Sequence, residues 1–130
     1  MPEITGIGHI TLTVNDLEKS TEFYNKVFNA QTIDSGDDEH GRWALSLGPP
    51  LMVGLREHAK TSKGDGFDPF RVGLDHFGVH VGSKEELESW KTWLDECGAK
   101  NSGIVESPYG LHLNAKDPDA IAIEFFVPAQ

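Results

Sequence analysis

Four short stretches carry side chains able to do chemistry. GLDHFGVHV (73–81) puts His76 and His80 four positions apart in an apolar, β-branched run. On a pleated strand residues i, i+2 and i+4 line one face, so both imidazoles point the same way with Gly78 between them. GIGHITLTV (6–14) carries His9, AIAIEFFV (120–127) carries Glu124, and SPYGLHLN (107–114) carries Tyr109 and His112. Ala122, Glu124 and Phe126 share one strand face, and Ile121, Ile123, Phe125 and Val127 share the other. A carboxylate among such neighbours is costly to bury without compensation. An arginine could supply it, with Arg42, Arg56 and Arg71 as candidates. A divalent cation could supply it too, because a cation favours an ionised carboxylate and neutral imidazoles together. Two imidazoles and one carboxylate that leave coordination positions open suit non-haem Fe(II) or Mn(II), and also Zn(II).

The elements that must position these groups occur twice. GIGHITLTV alternates polar His9, Thr11 and Thr13 with apolar Ile10, Leu12 and Val14, which predicts a half-buried strand. Asp16 then offers an N-cap, and Leu17, Phe23, Tyr24, Val27 and Phe28 form the stripe of a helix that Asn29 can stop. Strands are predicted at 31–34 and 42–47, separated by the polar loop SGDDEHG, and at 51–56 after Pro49-Pro50. In the second half a strand at 74–81 leads into SKEE (83–86), a capping box. Leu87, Trp90, Leu94 and Cys97 follow at helical spacing, and Gly98 ends the helix. Strands are then predicted near 102–107, at 110–115 and at 121–127, with a turn at DPDA (117–120) where Ala120 is acceptable as the fourth residue of a type I turn. Each half reads β-α-β-β-β. Superposing His9 on His76, an offset of 67 residues, brings Val14 onto Val81. Between the copies, EHAKTSKGDGFDPF (57–70) has no periodicity and reads as a linker. A duplicated unit with histidine at the same register of both first strands is a stronger signal than one histidine on a polar face.

Composition narrows the classes. A chain of 130 residues is long enough to bury a core as one domain. The net charge of −10 argues against nucleic acid or an anionic membrane as partner, since both call for basic clusters. No apolar run approaches a membrane span, and MPEITGIG lacks the regions of a signal peptide. Cys97 is the single cysteine, so no internal disulfide can form and a cytoplasmic location is expected. His40 and His58 fall in polar stretches and are expected to be solvated, while Trp43 is expected to pack.

The duplicated βαβββ unit, a histidine in each first strand and DPDAIAIEFF near the end of the chain resemble the vicinal oxygen chelate superfamily, which includes glyoxalases, extradiol dioxygenases and fosfomycin- and bleomycin-resistance proteins. The resemblance runs from about Ile7 to Pro128. It implies an α+β fold of two tandem βαβββ modules (about 4–57 and 72–128, linker about 58–71) that form a U-shaped mixed sheet around a metal cleft. It implies His9, His76 and Glu124 as ligands of a divalent metal ion, Fe(II), Mn(II), Zn(II) or Ni(II), and a substrate chelated through adjacent oxygens. Oxidation, isomerisation or lyase chemistry is then expected, with His80, Tyr109 and His112 as candidate substrate contacts or proton carriers. The fourth ligand typical of glyoxalase I falls on Gly54 or Leu55, neither of which can bind a metal, and only a slipped register would bring in Glu57. A metabolite- or drug-binding protein of the bleomycin-resistance type is the alternative function, and a homodimer is expected in either case.

Overall fold

Each half of the chain folds as the alternation of its apolar residues requires. The computed structural model describes residues 1–60 and 64–130, in two units, Met1–Gly64 and Asp65–Gln130. The first unit runs β1 (Ile10–Thr13), α1 (Leu17–Val27), β2 (Gln31–Asp38), β3 (Gly41–Gly48) and β4 (Leu51–His58). The second runs β5 (Phe77–His80), α2 (Lys84–Glu96), β6 (Asn101–Ser107), β7 (Gly110–Lys116) and β8 (Ala122–Pro128). Each has a four-stranded mixed sheet, ordered β1-β4-β3-β2 in one and β5-β8-β7-β6 in the other. The first strand of each unit lies parallel to the last, and the remaining pairs are antiparallel. Among the described residues no helix is long and apolar enough to cross a membrane.

The helix ends are where the sequence puts them. Asp16 Oδ1 accepts the Lys19 N–H at 3.1 Å, and Ser83 Oγ accepts the Glu86 N–H at 3.1 Å, so each satisfies a donor the helix leaves open. Asn29 (φ +48°) and Gly98 (φ +71°) end the two helices in the left-handed region. Each helix buries its stripe against its own sheet. Leu12, Val14, Tyr24, Val27, Val53 and Leu55 form one core, and Phe77, Leu87, Leu94, Leu113, Ile123 and Phe125 form the other. Burying each such side chain contributes about 1.5–3 kcal/mol. Trp90 packs on Phe125 with ring centroids 4.6 Å apart, which fixes the odd-numbered face of β8 toward α2.

Three expectations are corrected. The first strands are shorter than 6–14 and 74–81, since the ladders begin only at Ile10 and Phe77. Gly6 and Gly73, at corresponding positions, both have φ +142°, a conformation outside the β region of other residues, so the approach to each strand bends. His9 and His76 therefore sit immediately before their strands. SGDD is not loop but the end of β2, paired through to Asp38 opposite Gly41 beyond a bulge between Thr32 and Asp34. Gly36 permits this because the half-buried Trp43 indole lies on it, and a Cβ there would stand 2.6 Å from the ring. At DPDA the predicted turn forms, with the Ala120 N–H closing on the Asp117 carbonyl at 2.9 Å, and Ala120, its fourth residue, is left-handed (φ +66°). Asp117 holds it there, with its buried Oδ1 accepting the N–H groups of Asp119 (2.8 Å) and Ile121 (2.9 Å). Of the predicted linker, Glu57 and His58 belong to β4, and Thr61–Lys63 lie outside the described residues.

Candidate functional site

The second unit builds a polar cluster on the sheet face turned away from α2. Register places Gly78, Glu124 and Asn114 side by side across β5, β8 and β7, and His80, Phe126 and His112 side by side in the next row. Ile123 and Phe125, of the opposite parity, are fully buried under α2. Glu124 thus rises from the open face, and Gly78 leaves its side chain room.

Two imidazoles converge on that carboxylate. His76 Nε2 and His112 Nδ1 each lie 3.4 Å from Glu124 Oε2. The Glu124 and His112 side chains are 18% exposed and that of His76 is 44% exposed. The rings are held from behind. Asp75 Oδ1 lies 2.6 Å from His76 Nδ1, and Ser107 Oγ lies 2.7 Å from His112 Nε2. A carboxylate behind an imidazole is the outer partner that metal-ligating histidines usually have. None of the three candidate arginines compensates Glu124: Arg42 pairs with Glu18 and Glu57, Arg56 with Asp38 and Arg71 with Asp68.

The donor chemistry fits a divalent ion in part. A separation of 3.4 Å exceeds a normal N–H···O bond, for which about 3.2 Å is the upper end. It matches two donors around one ion with bonds of about 2.1 Å, which stand about 3–3.5 Å apart. Among the described residues, however, no three His, Cys, Asp or Glu side chains form a ready-made metal-binding group. His76 and Glu124 supply a pair. His9 belongs to the first unit, exposed and directly ahead of β1.

The other predicted residues fall farther off. His80 shares the face, with its ring centroid 6.1 Å from that of Phe126 and Phe126 standing between it and His112 in register. Tyr109 sits in the β6–β7 turn and is 78% exposed. Asp75 and Ser107 were missed from the sequence. The DH dipeptide was a signal for the first. For the second, the two-residue connection Pro108-Tyr109 sets Ser107 beside Gly110, within reach of His112 two positions on. A groove of about 470 Å³ opens by Ser83, Lys84, Glu106, Ser107 and Val127. His76, His112 and Glu124 are not among its walls, although Ser107, behind His112, is.

Among its described residues the first unit has no equivalent. Thr11 pairs with Gly54 where the second unit pairs Gly78 with Glu124. Glu57 does not fill the gap: its Oε2 accepts the Leu17 N–H at 2.9 Å and lies 2.7 Å from Arg42 Nη2. It ties β4 to the start of α1 and to β3.

Comparison with known proteins agrees with this architecture. The sequence profile of the glyoxalase/bleomycin resistance protein/dioxygenase superfamily matches residues 6–125. A glyoxylase/bleomycin resistance protein/dioxygenase domain from Frankia sp. EAN1pec superposes with TM-score 0.90 at 31% identity, covering 98% of this chain and 95% of that one. The fosfomycin resistance protein FosX of Listeria monocytogenes superposes with TM-score 0.76 at 23% identity, covering 98% and 96%. A glutamate-to-glutamine variant of that FosX has been crystallised with Mn(II) and 1S,2S-dihydroxypropylphosphonic acid (TM-score 0.73, 24% identity, covering 98% and 93%). A trivalent organoarsenical cleaving enzyme of Bacillus sp. (strain MD1) is 28% identical over 128 residues, which span 92% of this chain and 71% of that protein.

Proposed function

Because the chain belongs to the glyoxalase/bleomycin resistance protein/dioxygenase superfamily, we propose that it is a divalent-metal enzyme acting on a small substrate that offers two adjacent oxygens. His76 Nε2 and Glu124 Oε2 are two of the ligands, and His9 of the first module is the third. The observation that carries the reading is Glu124 itself. It is a largely buried carboxylate facing two imidazoles, with no lysine or arginine paired to it among the described residues. A bound divalent ion would supply Lewis-acid stabilisation of negative charge on substrate oxygens.

The protein's own groups do the rest. Asp75 accepts from His76 Nδ1 and so keeps Nε2 free as a donor atom toward the ion. Phe126, between His80 and His112, gives the substrate an apolar surface beside the charged pair. His80, His112 and Tyr109 are the groups proposed to contact substrate or carry its proton. Oxidation of a catechol, or isomerisation or lyase chemistry on a similar chelate, are the reactions to examine. The protein is proposed to work as a cytoplasmic homodimer, which sedimentation equilibrium checks.

Metal analysis of protein purified without chelators tests the central claim. One ion per chain is expected, lost in His9→Ala, His76→Ala and Glu124→Gln. Substoichiometric metal that His9→Ala leaves unchanged overturns it in favour of a metabolite-binding protein. An anaerobic screen with Fe(II), Mn(II), Ni(II) and Zn(II) against catechols and hemithioacetals then identifies the reaction.

A further inference from the structure

One row of the first sheet is rich in hydrogen-bond donors and poor in acceptors. Register sets Thr13, Arg56, Trp43 and Gly36 side by side across β1, β4, β3 and β2. Ala44, Val53 and Leu55, of the opposite parity, are buried in the core with α1, so the row lies on the sheet's other face. Gly36 seats the indole of Trp43, whose Cε2, Cζ2 and Nε1 atoms stand 2.6–2.8 Å from where a Cβ would be. The Arg56 side chain is 28% exposed, and its Nη2 lies 3.5 Å from Asp38 Oδ2. Asp38 offers that one oxygen, because its Oδ1 already accepts the His40 N–H at 2.8 Å. Among the described residues no other side-chain partner meets the Thr13 hydroxyl, the Arg56 guanidinium or the Trp43 indole N–H. Arg42, by contrast, gives both Nη atoms to carboxylates, and Arg71 is 82% exposed.

We propose that this row is a binding site for a small planar carboxylate. A guanidinium takes a carboxylate through two parallel N–H bonds along one edge of its fork. Asp38 engages a single donor of Arg56 by a long contact and leaves the rest of the fork unused. The Thr13 hydroxyl and the Trp43 N–H belong to the neighbouring strands, each about 4.8 Å to one side, where they add donors for the same anion. The indole gives an aromatic ring on the ligand a surface to pack against. One arginine shared with an aspartate balances one negative charge, and the net charge of −10 raises the cost of a second. The row therefore suits a monoanion better than a phosphate dianion. It uses none of the proposed metal ligands and so stands independently of the metal reading.

Benzoate titrated into metal-free protein tests this. In ¹H–¹⁵N spectra the Trp43 indole peak, identified by its loss in Trp43→Phe, is expected to shift on titration. Isothermal titration is expected to show benzoate binding about 10–100-fold more weakly to Arg56→Gln. Asp38→Asn removes the competing anion and is expected to tighten binding about 2–5-fold, which an ion pair of purely structural value would not do. Benzamide, neutral and of the same shape, is expected to bind about 10-fold more weakly than benzoate. A Trp43 peak that stays still, equal affinity for benzamide, or unchanged benzoate affinity in folded Arg56→Gln overturns the proposal. Binding that appears only when Mn(II) is added overturns it as well, since the carboxylate then sits on the ion. A wild-type dimer that binds no benzoate and falls to monomer in Trp43→Leu overturns it in favour of a second copy on the row.

Discussion

Gly54 in β4 occupies the register that Glu124 occupies in β8, and the residue opposite each has changed in the reverse sense. Thr11 stands against Gly54, and Gly78 stands against Glu124. In each pair one partner has a side chain and the other has none. A Cβ on Gly54 would meet Thr11 Oγ1 at 2.6 Å and its Cβ and Cγ2 at 3.3 Å, so rotating the threonine does not clear it. A Cβ on Gly78 would lie 3.8 Å from Glu124, an ordinary contact. Gly54→Ala is therefore expected to cost about 1–3 kcal/mol in urea unfolding, and Gly78→Ala little. Equal losses in the two variants would contradict the packing described.

Asp75→Asn leaves the fold intact, because Asp75 is exposed and contacts the imidazole of its neighbour. The amide can present its N–H to His76 Nδ1 and draw the ring toward the Nε2–H tautomer, which cannot ligate. Mn(II) affinity is expected to fall about 10–100-fold with an unchanged urea midpoint. Isothermal titration of both proteins measures it.

Arg42 joins Glu18 and Glu57 beside the start of α1, and hydrogen bonding to the guanidinium holds the Glu18 carboxyl below its ordinary value of 4.5. A depressed folded-state value means stability that is present above the unfolded value and lost as pH falls through the folded one. The urea midpoint of wild type is expected to drop below pH 4.5, while Arg42→Ala starts lower at neutral pH and drops less. Parallel curves for the two proteins would rule out the pairing as the source. Glu57→Ala, which also leaves the Leu17 N–H without its acceptor, is expected to cost about 1–3 kcal/mol at pH 7.

Ala120 has φ +66°, where an L side chain costs about 1–2 kcal/mol. Glycine removes that cost but adds about 0.5–1 kcal/mol of unfolded-state entropy. Ala120→Gly is thus expected to gain about 0.5–1 kcal/mol, read as a higher Tm. A lower Tm would mean that the Asp117 bonds define a turn better suited to alanine.

Repetition made the architecture legible. The caps Asp16 and Ser83, the stops Asn29 and Gly98 and the alternation in β8 all follow from local chemistry, and they set the elements within a few residues. The face bearing Glu124 was readable for the same reason. The partners of that face were not. Ser107 reaches His112 across a hairpin, and no periodicity records which rear group an imidazole meets. The length of β2 was hidden because SGDD has loop composition, and only the indole of Trp43 lying on Gly36 shows why it continues as strand. The bends at Gly6 and Gly73 shortened both first strands, a backbone property that apolar patterning does not report. Ala120 closes the predicted turn, but its left-handed φ was not readable, because a residue's identity does not state its φ.

The reversed pairs at Thr11/Gly54 and Gly78/Glu124 also bear on how the two halves could diverge or converge. For the first half to acquire an acidic ligand at position 54, the threonine opposite would have to be lost as well. The intermediate with only one change carries a steric clash or a hole. Conversely, the second half can trade Glu124 for a smaller residue in one step, at no cost in space. Gain of a ligand at position 54 thus takes two substitutions, and loss of the one at position 124 takes a single substitution that meets no clash.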